Sequence, residues 1–280
     1  MKKLNFIIKC GLALLLLSFY SCESWLNVTP SDRLSEEMLF NDREGFVKAL
    51  NGVYIELNTN ELYGRNLTAG ALDVMGQYYS VASSSHAFYN YGGLVYTGND
   101  EKALFDNMWQ KCYAVIACCN TIIEKCDENK AGLSPVWRGS IKGEALALRA
   151  MLHFDMLRLF GPLTSELDKE SIPYQTNSDQ TVTPLLSGSE VVGLILDDLK
   201  NAVGLLKDTD PYFVEEEFSD TDLNYRRFRM NYFAAKGLMA RVQLWGGDKE
   251  KAAATAKEVI AEGQAEGAEF FPFVTNSEAT

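Results

Sequence analysis

Gly143-Glu144-Ala145-Leu146-Ala147-Leu148-Arg149-Ala150-Met151-Leu152-His153-Phe154, running on to Phe160-Gly161-Pro162, is the stretch that decides the fold of this chain. Ile141, Ala145, Leu148, Leu152, Met156 and Leu159 recur every three or four residues, which places them on one face of an α-helix. Gly161-Pro162 ends that helix, because glycine frees the backbone and proline lacks the N–H that would continue it. Arg149 and His153 interrupt the apolar run four residues apart, on one face. A catalytic pair is one reading of them; their place inside an apolar run favours a structural role.

Working outward, the same period returns. Phe46, Ala49, Leu50, Val53, Tyr54 and Leu57 form a stripe, as do Met108, Tyr113, Ile116, Cys119 and Ile123. Ser187 and Glu190 have the spacing of a capping box and open a helix carrying Val191, Ile195, Leu199 and Leu206. Helices are expected over 230–245 and 249–262. Only Gly246-Gly247-Asp248 separates them, so they should fold back as an antiparallel hairpin. Small residues stand where those two would touch: Ala234, Ala235, Gly237, Ala240, Ala252, Ala253 and Ala256. Strand signals are few. The expected fold class is all-α: tetratricopeptide-like helix pairs with long irregular loops, though no clean 34-residue repeat is present. The two long loops are 78–98, rich in Ser, Tyr and Gly, and 163–187, rich in Thr, Ser, Asp and Pro. Loops of that length in a helical chain are usually either functional or disordered.

Composition narrows the function classes. Hydrophobic residues make up 47% of the 280 and charged residues 23%, as in folded globular chains. The net charge of −12 and a pI near 4.7 argue against nucleic acid, which requires clustered Lys and Arg. Two histidines leave little room for a His-rich metal site, and no cofactor motif is present.

The first 21 residues read as an export signal. Lys2 and Lys3 precede the apolar Gly11–Leu17, and Lys9 makes the run too short to span a bilayer. Cys22, directly after Ser21, sits where a bacterial lipobox would place the lipidated cysteine. The ordinary secreted protein, with Cys22 there by chance, is the alternative. Cleavage before Cys22 would remove three lysines and no acid. Cys112, Cys118, Cys119 and Cys126 then remain, all in one expected helix over 105–125. Cys112, Cys119 and Cys126 follow one another at seven residues, roughly 10 Å of rise, too far for a disulfide. They are expected to be small buried residues that let another helix approach.

Several blocks together resemble the SusD/RagB family of outer-membrane lipoproteins. Trp25-Leu26-Asn27-Val28-Thr29-Pro30 after Cys22 is similar to the start of the mature family members. Leu62-Tyr63-Gly64 with Ala71-Leu72-Asp73-Val74, and Trp109, Tyr113, Ile116 and Asn120, resemble the next helices. The block quoted above and Asn231-Tyr232-Phe233-Ala234-Ala235-Lys236 with Ala240-Arg241-Val242 are the most specific. The family usually reads Gly-Pro-x-Pro-Leu where Leu163-Thr164 stand here. The resemblance covers residues 22–280, and since members of the family are longer, it corresponds to their N-terminal, helical portion.

That resemblance implies a lipid-anchored protein on the outer face of the outer membrane. It would bind a glycan or another nutrient, with no enzyme activity, and deliver it to a SusC-like TonB-dependent barrel transporter. In such a block a buried Arg149 would organise helix ends and carboxylates. Aromatic rings accept the C–H faces of sugars and tolerate a wet site. The candidate platform is therefore Tyr78, Tyr79, His86, Phe88, Tyr89 and Tyr91, with Ser83, Ser84, Ser85 and Asn90 to meet hydroxyls. The alternative is that these rings pack the loop onto the helices. Two other readings compete with nutrient capture. One is a helical-repeat scaffold in an outer-membrane assembly that binds no sugar. The other is an exported glycosidase using carboxylates among Asp73, Glu144 and Asp155. Glu215-Glu216-Glu217 reads as a solvated acidic patch.

Overall fold

A computed structural model describes residues 36–179, 181–214, 217–219 and 225–264. Cys22, the segment 1–21 and the acids Glu215 and Glu216 lie outside the described residues. The chain divides into two compact units, residues 1–39 and 40–280. Of the first, only a helical turn at Glu36–Leu39 is described.

The second unit is built on six longer helices among its described residues: α1 (Arg43–Leu57), α2 (Asn99–Glu128), α3 (Pro135–Phe160), α4 (Gly188–Thr209), α5 (Tyr232–Trp245) and α6 (Lys249–Gly263). Local chemistry sets their ends. Asp42 caps α1 by accepting the Gly45 N–H at 2.9 Å. Ser134 caps α3 with Pro135 in its first turn, and Gly161 ends it. The Ser187–Glu190 capping box opens α4 with both of its hydrogen bonds formed. Asn129 ends α2 in the left-handed conformation (φ 45°), a position asparagine tolerates because its side chain bonds locally, here to both backbone groups of Leu133. α2, Asn99–Glu128, extends beyond the expected 105–125 by nearly two turns at its start and about one at its end.

Successive helices pack antiparallel. Cys112 meets Leu152, Asn120 meets Arg149, and Asp127 meets Lys142, so α2 runs against α3. α4 runs back along α3, with Arg149 opposite Asp198 and Gly143 opposite Leu206. Gly143 and Gly139 permit that approach: a Cβ on Gly143 would lie 2.8 Å from Leu206 Cγ, and one on Gly139 would lie 2.6 Å from Thr209 Cγ2. α5 and α6 form the expected hairpin, joined by Gly247 at φ 92°. Lys236 ion-pairs with Glu258 and Glu262, and Thr255 donates to Gln243. Ala235 and Ala252 are buried in that hairpin, whereas Ala234 and Ala253 face outward. A pair at the end of the described stack buries only the stripes that face its neighbours.

The all-α, tetratricopeptide-like architecture is thus the fold, with one small addition inside the loop 163–187. Glu170–Pro173 and Leu185–Ser187 form an antiparallel two-stranded ribbon, β1 and β2. The core runs along the α2–α3–α4 seam. Met108, Cys112, Ile116, Cys119, Leu148, Leu152, Met156, Ile195 and Leu199 are fully enclosed there. Three of the four cysteines are buried as expected, and Cys118 is exposed.

Candidate functional site

The aromatic loop leaves the short helix Ala71–Met75 and returns at the start of α2. Two non-glycine residues near its ends, Gln77 (φ 62°) and Leu94 (φ 56°), adopt left-handed backbone. Such a conformation costs an L-residue about 1–2 kcal/mol and persists only where the surroundings impose it. At Gln77 the surroundings are visible. Its side-chain amide donates to Gly92 O at 3.0 Å and to Val74 O at 3.3 Å, tying the loop's entry to its exit. Asn90 donates to Glu101 on α2 at 2.7 Å, and His86 Nδ1 accepts the Phe88 N–H.

The six candidate rings divide into two groups. Tyr91 is only 2% exposed, and it takes the packing role that was the alternative reading, so it is out of a ligand's reach. Phe88 is half-buried under Arg65, whose guanidinium lies 5.8 Å from the ring centre. Tyr78, Tyr79 and Tyr89 are 80%, 53% and 42% exposed, and His86 is exposed as well. An unbroken line of aromatic contacts leads inward from the exposed His86. It passes from His86 through Phe88, Tyr91, Phe105, Phe160, Trp109, Tyr113 and His153 to Tyr174, with centroids 3.9–6.2 Å apart. Five of these contacts are edge-on, and aromatic pairs in such geometry contribute about 0.5–1.5 kcal/mol each beyond their burial. The outer rings thus stand on a base continuous with the core.

That line ends in a buried polar network centred on Arg149. Its guanidinium forks onto both oxygens of Asp198 at 2.7 Å and donates to Asn120 Oδ1 at 2.8 Å. Tyr174 donates to the same carboxylate, and Asn120 donates to the carbonyls of Gln175 and Asn177. His153 Nδ1 lies 3.0 Å from Arg149 O, and Nε2 accepts the Gln175 N–H at 3.0 Å. The carbonyl can only accept, so Nδ1 carries the proton and the ring is neutral. Burial pushes the His153 pKa down to about 3, and the Arg149 charge adds to this. With Asn120 and Asp198, Arg149 and His153 fasten residues 174–177 to α2, α3 and α4; neither is placed as a catalytic base.

A second buried network was not read from the sequence. Arg226 forks onto Asp210, at 3.0 and 2.6 Å, and pairs with Glu144. Arg229 donates to Glu144 at 2.7 Å and to Asn51 at 2.7 Å, and Tyr54 also donates to Glu144. Burial alone would raise the Glu144 pKa, but the two guanidiniums and the phenol hold it below the usual carboxylate range. Three arginines within Arg226-Arg227-Phe228-Arg229, in an acidic chain, were the available signal. Glu144 and Asn51 lie more than 80 residues away and Asp210 lies 16 away, so no helix-period pattern names these partners. Asp155, meanwhile, accepts from Tyr63 at 2.6 Å and from Arg158 at 3.2 Å. Glu144 is held ionised between arginines, which removes it as a general acid, so the glycosidase reading loses one of its three candidate carboxylates. Among the described residues no cluster of three or more His, Cys, Asp or Glu could hold a metal ion. No helix there is long and apolar enough to cross a membrane.

Comparison with known proteins follows the same lines. The family profile "SusD-like_3: Starch-binding associating with outer membrane" matches residues 24–244, and the chain belongs to this SusD-like family. SusD-like protein P2 of Formosa agariphila is 25% identical over 265 residues, covering 92% of this chain and 46% of its own. A SusD superfamily protein from Bacteroides vulgatus, solved by crystallography, superposes with a TM-score of 0.66 at 20% identity over 85% of this chain and 50% of its own. A solved laminarin-binding SusD-like protein superposes at 0.61, with 16% identity over 84% of this chain and 47% of its own. The chain therefore spans about half the length of the relatives it matches.

Proposed function

We propose that this chain is a surface nutrient-binding lipoprotein that captures a glycan and passes it to a SusC-like TonB-dependent barrel transporter. Anchoring would be through lipid on Cys22, with the protein on the extracellular face of the outer membrane. Capture is by binding alone, with no covalent step. Membership in an outer-membrane-associated, starch-binding family supports the general class, and a relative of the same fold binds laminarin. The observation that carries the reading is the outward display of Tyr78, Tyr79 and Tyr89 on a strained, doubly tied loop whose inner rings are rooted in the core.

The test is isothermal titration of the full chain with a panel of β-glucan and α-glucan oligosaccharides. It is repeated with Tyr78→Ala, Tyr79→Ala and Tyr89→Ala singly and together. Ring–sugar stacking of about 1 kcal/mol per ring predicts a five-fold loss of affinity for each useful ring. Unchanged affinity in the triple variant would overturn the platform. Absence of binding to every glycan, with a barrel protein still co-purifying, would favour the sugar-free scaffold.

A further inference from the structure

Away from the aromatic loop, a partly open cleft of about 220 Å³ lies between α1, α3 and the segment carrying Arg226 and Arg229. A cavity of about 150 Å³ accommodates benzene, so this one has room for a larger ring. Its walls are of two kinds. Val47, Leu50, Ile141 and Phe218 give an apolar side. Ser140, Asn51 and Arg229 give a polar one.

The polar side has unused capacity. Ser140 is 5% exposed as a residue and lines the cleft, and its hydroxyl makes no hydrogen bond among the described residues. The Asn51 carbonyl accepts from Arg229 Nη1, leaving the Asn51 amide N–H groups without a partner among the described residues. The Arg229 Nε and Nη1 are taken by Glu144 and Asn51, leaving Nη2 likewise free. The nearby charges cancel: Glu144 and Asp210 against Arg226 and Arg229. The cleft therefore offers one hydroxyl and two N–H donors opposite an apolar wall, with no net charge.

We infer that this cleft binds a single neutral pyranose-sized polyol, with a C–H face on Phe218 and the aliphatic wall and hydroxyls on Ser140, Asn51 and Arg229. It is a second site, separate from the exposed loop rings, and it takes one sugar unit. A lone ring burying so little surface should bind with millimolar affinity. Neutrality, in a protein of net charge −12, selects a neutral sugar over a uronate.

The test is saturation-transfer NMR and titration of the full chain with D-glucose, D-galactose, D-mannose and D-glucuronate into the tens of millimolar. Ser140→Leu fills the cleft, Asn51→Ala removes a solvent-facing donor, and the Tyr78/Tyr79/Tyr89 triple alanine variant removes the loop rings. Far-UV circular dichroism and melting verify that each is folded. Binding of a neutral monosaccharide weakened about five-fold or more by Ser140→Leu and by Asn51→Ala, yet retained in the triple variant, supports the site. Retention in both cleft variants, loss in the triple variant alone, tighter binding of glucuronate, or no monosaccharide signal at all would each overturn it. The platform is tested separately by oligosaccharide affinity, so either site can fail without the other.

Discussion

Replacing Arg226 with methionine probes the tie that holds the segment before α5 against α1 and α3. The guanidinium is enclosed, its side chain 3% exposed, and it serves Asp210 twice, Glu144 once and the Met230 carbonyl. Methionine keeps much of the volume and removes the charge, so two buried carboxylates face Arg229 alone. Breaking a buried pair by removing one partner costs about 3–5 kcal/mol. Tyr54 and Arg229 still donate to Glu144, and the Tyr212 and Tyr232 N–H groups still donate to Asp210. The expected loss at pH 7 is therefore about 3 kcal/mol, the low end of that range. Urea unfolding followed by circular dichroism measures it, with Arg227→Met, on the exposed neighbour, expected to stay within about 0.5 kcal/mol. The pH dependence fixes the cause. In the native protein Glu144 titrates below its usual value, so its contribution is complete above about pH 4.3 and is lost as pH falls through the folded value. In the variant, burial opposes ionisation and raises that value, so the deficit is largest at neutral pH and narrows on acidification. A loss below about 1 kcal/mol, or a deficit that grows on acidification, would refute the account.

Three further outcomes follow from other parts of the molecule. His153 should stay neutral throughout ordinary pH. Its folded pKa of about 3 lies below the unfolded value, so stability is complete above about pH 6.5 and declines below it, by about 2 kcal/mol at pH 5. Imidazole resonances of His153 that titrate between pH 8 and 5 would contradict this. Gly143→Ala should destabilise by about 1–3 kcal/mol because its Cβ meets Leu206. Gly204→Ala in α4, where nothing lies within 4 Å, should stabilise by about 0.4–1 kcal/mol. Equal effects at the two glycines would argue against the close α3–α4 approach. Brief treatment with an alkylating reagent should modify Cys118 well before Cys112, Cys119 or Cys126, as read by peptide mass mapping. Burial pushes all four thiols up, but only Cys118 is exposed.

What the sequence disclosed and what it withheld have one physical cause. Helix periodicity, the Ser187–Glu190 box and the Gly161 stop are local, and each appears where the spacing placed it. A structural role for Arg149 was legible because a charge inside an apolar stripe must be paired; that Asp198 pairs it was not. The Glu144–Arg226–Asp210 cluster joins positions that only the packed helices bring together. The β1–β2 ribbon is too short to announce itself, since three or four residues carry almost no alternation. In the aromatic loop, composition marked the segment, but inner and outer rings are the same residue types. Only the position of α2 beneath the loop separates Tyr91 from Tyr89.

The left-handed turn at Gln77 and its amide bond to Gly92 give the loop a closed outline with separate foundations and façade. Mutations at Tyr91, Phe105 or Phe160 would be felt along the whole aromatic line and are expected to be purged for loss of folding. The hydroxyls of Tyr78, Tyr79 and Tyr89 bond to none of the described residues, so those positions can vary at little cost to the scaffold. The loop is in that sense an exchangeable cassette: a lineage could retune what it recognises by redrawing three outward rings while inheriting the helices beneath unchanged.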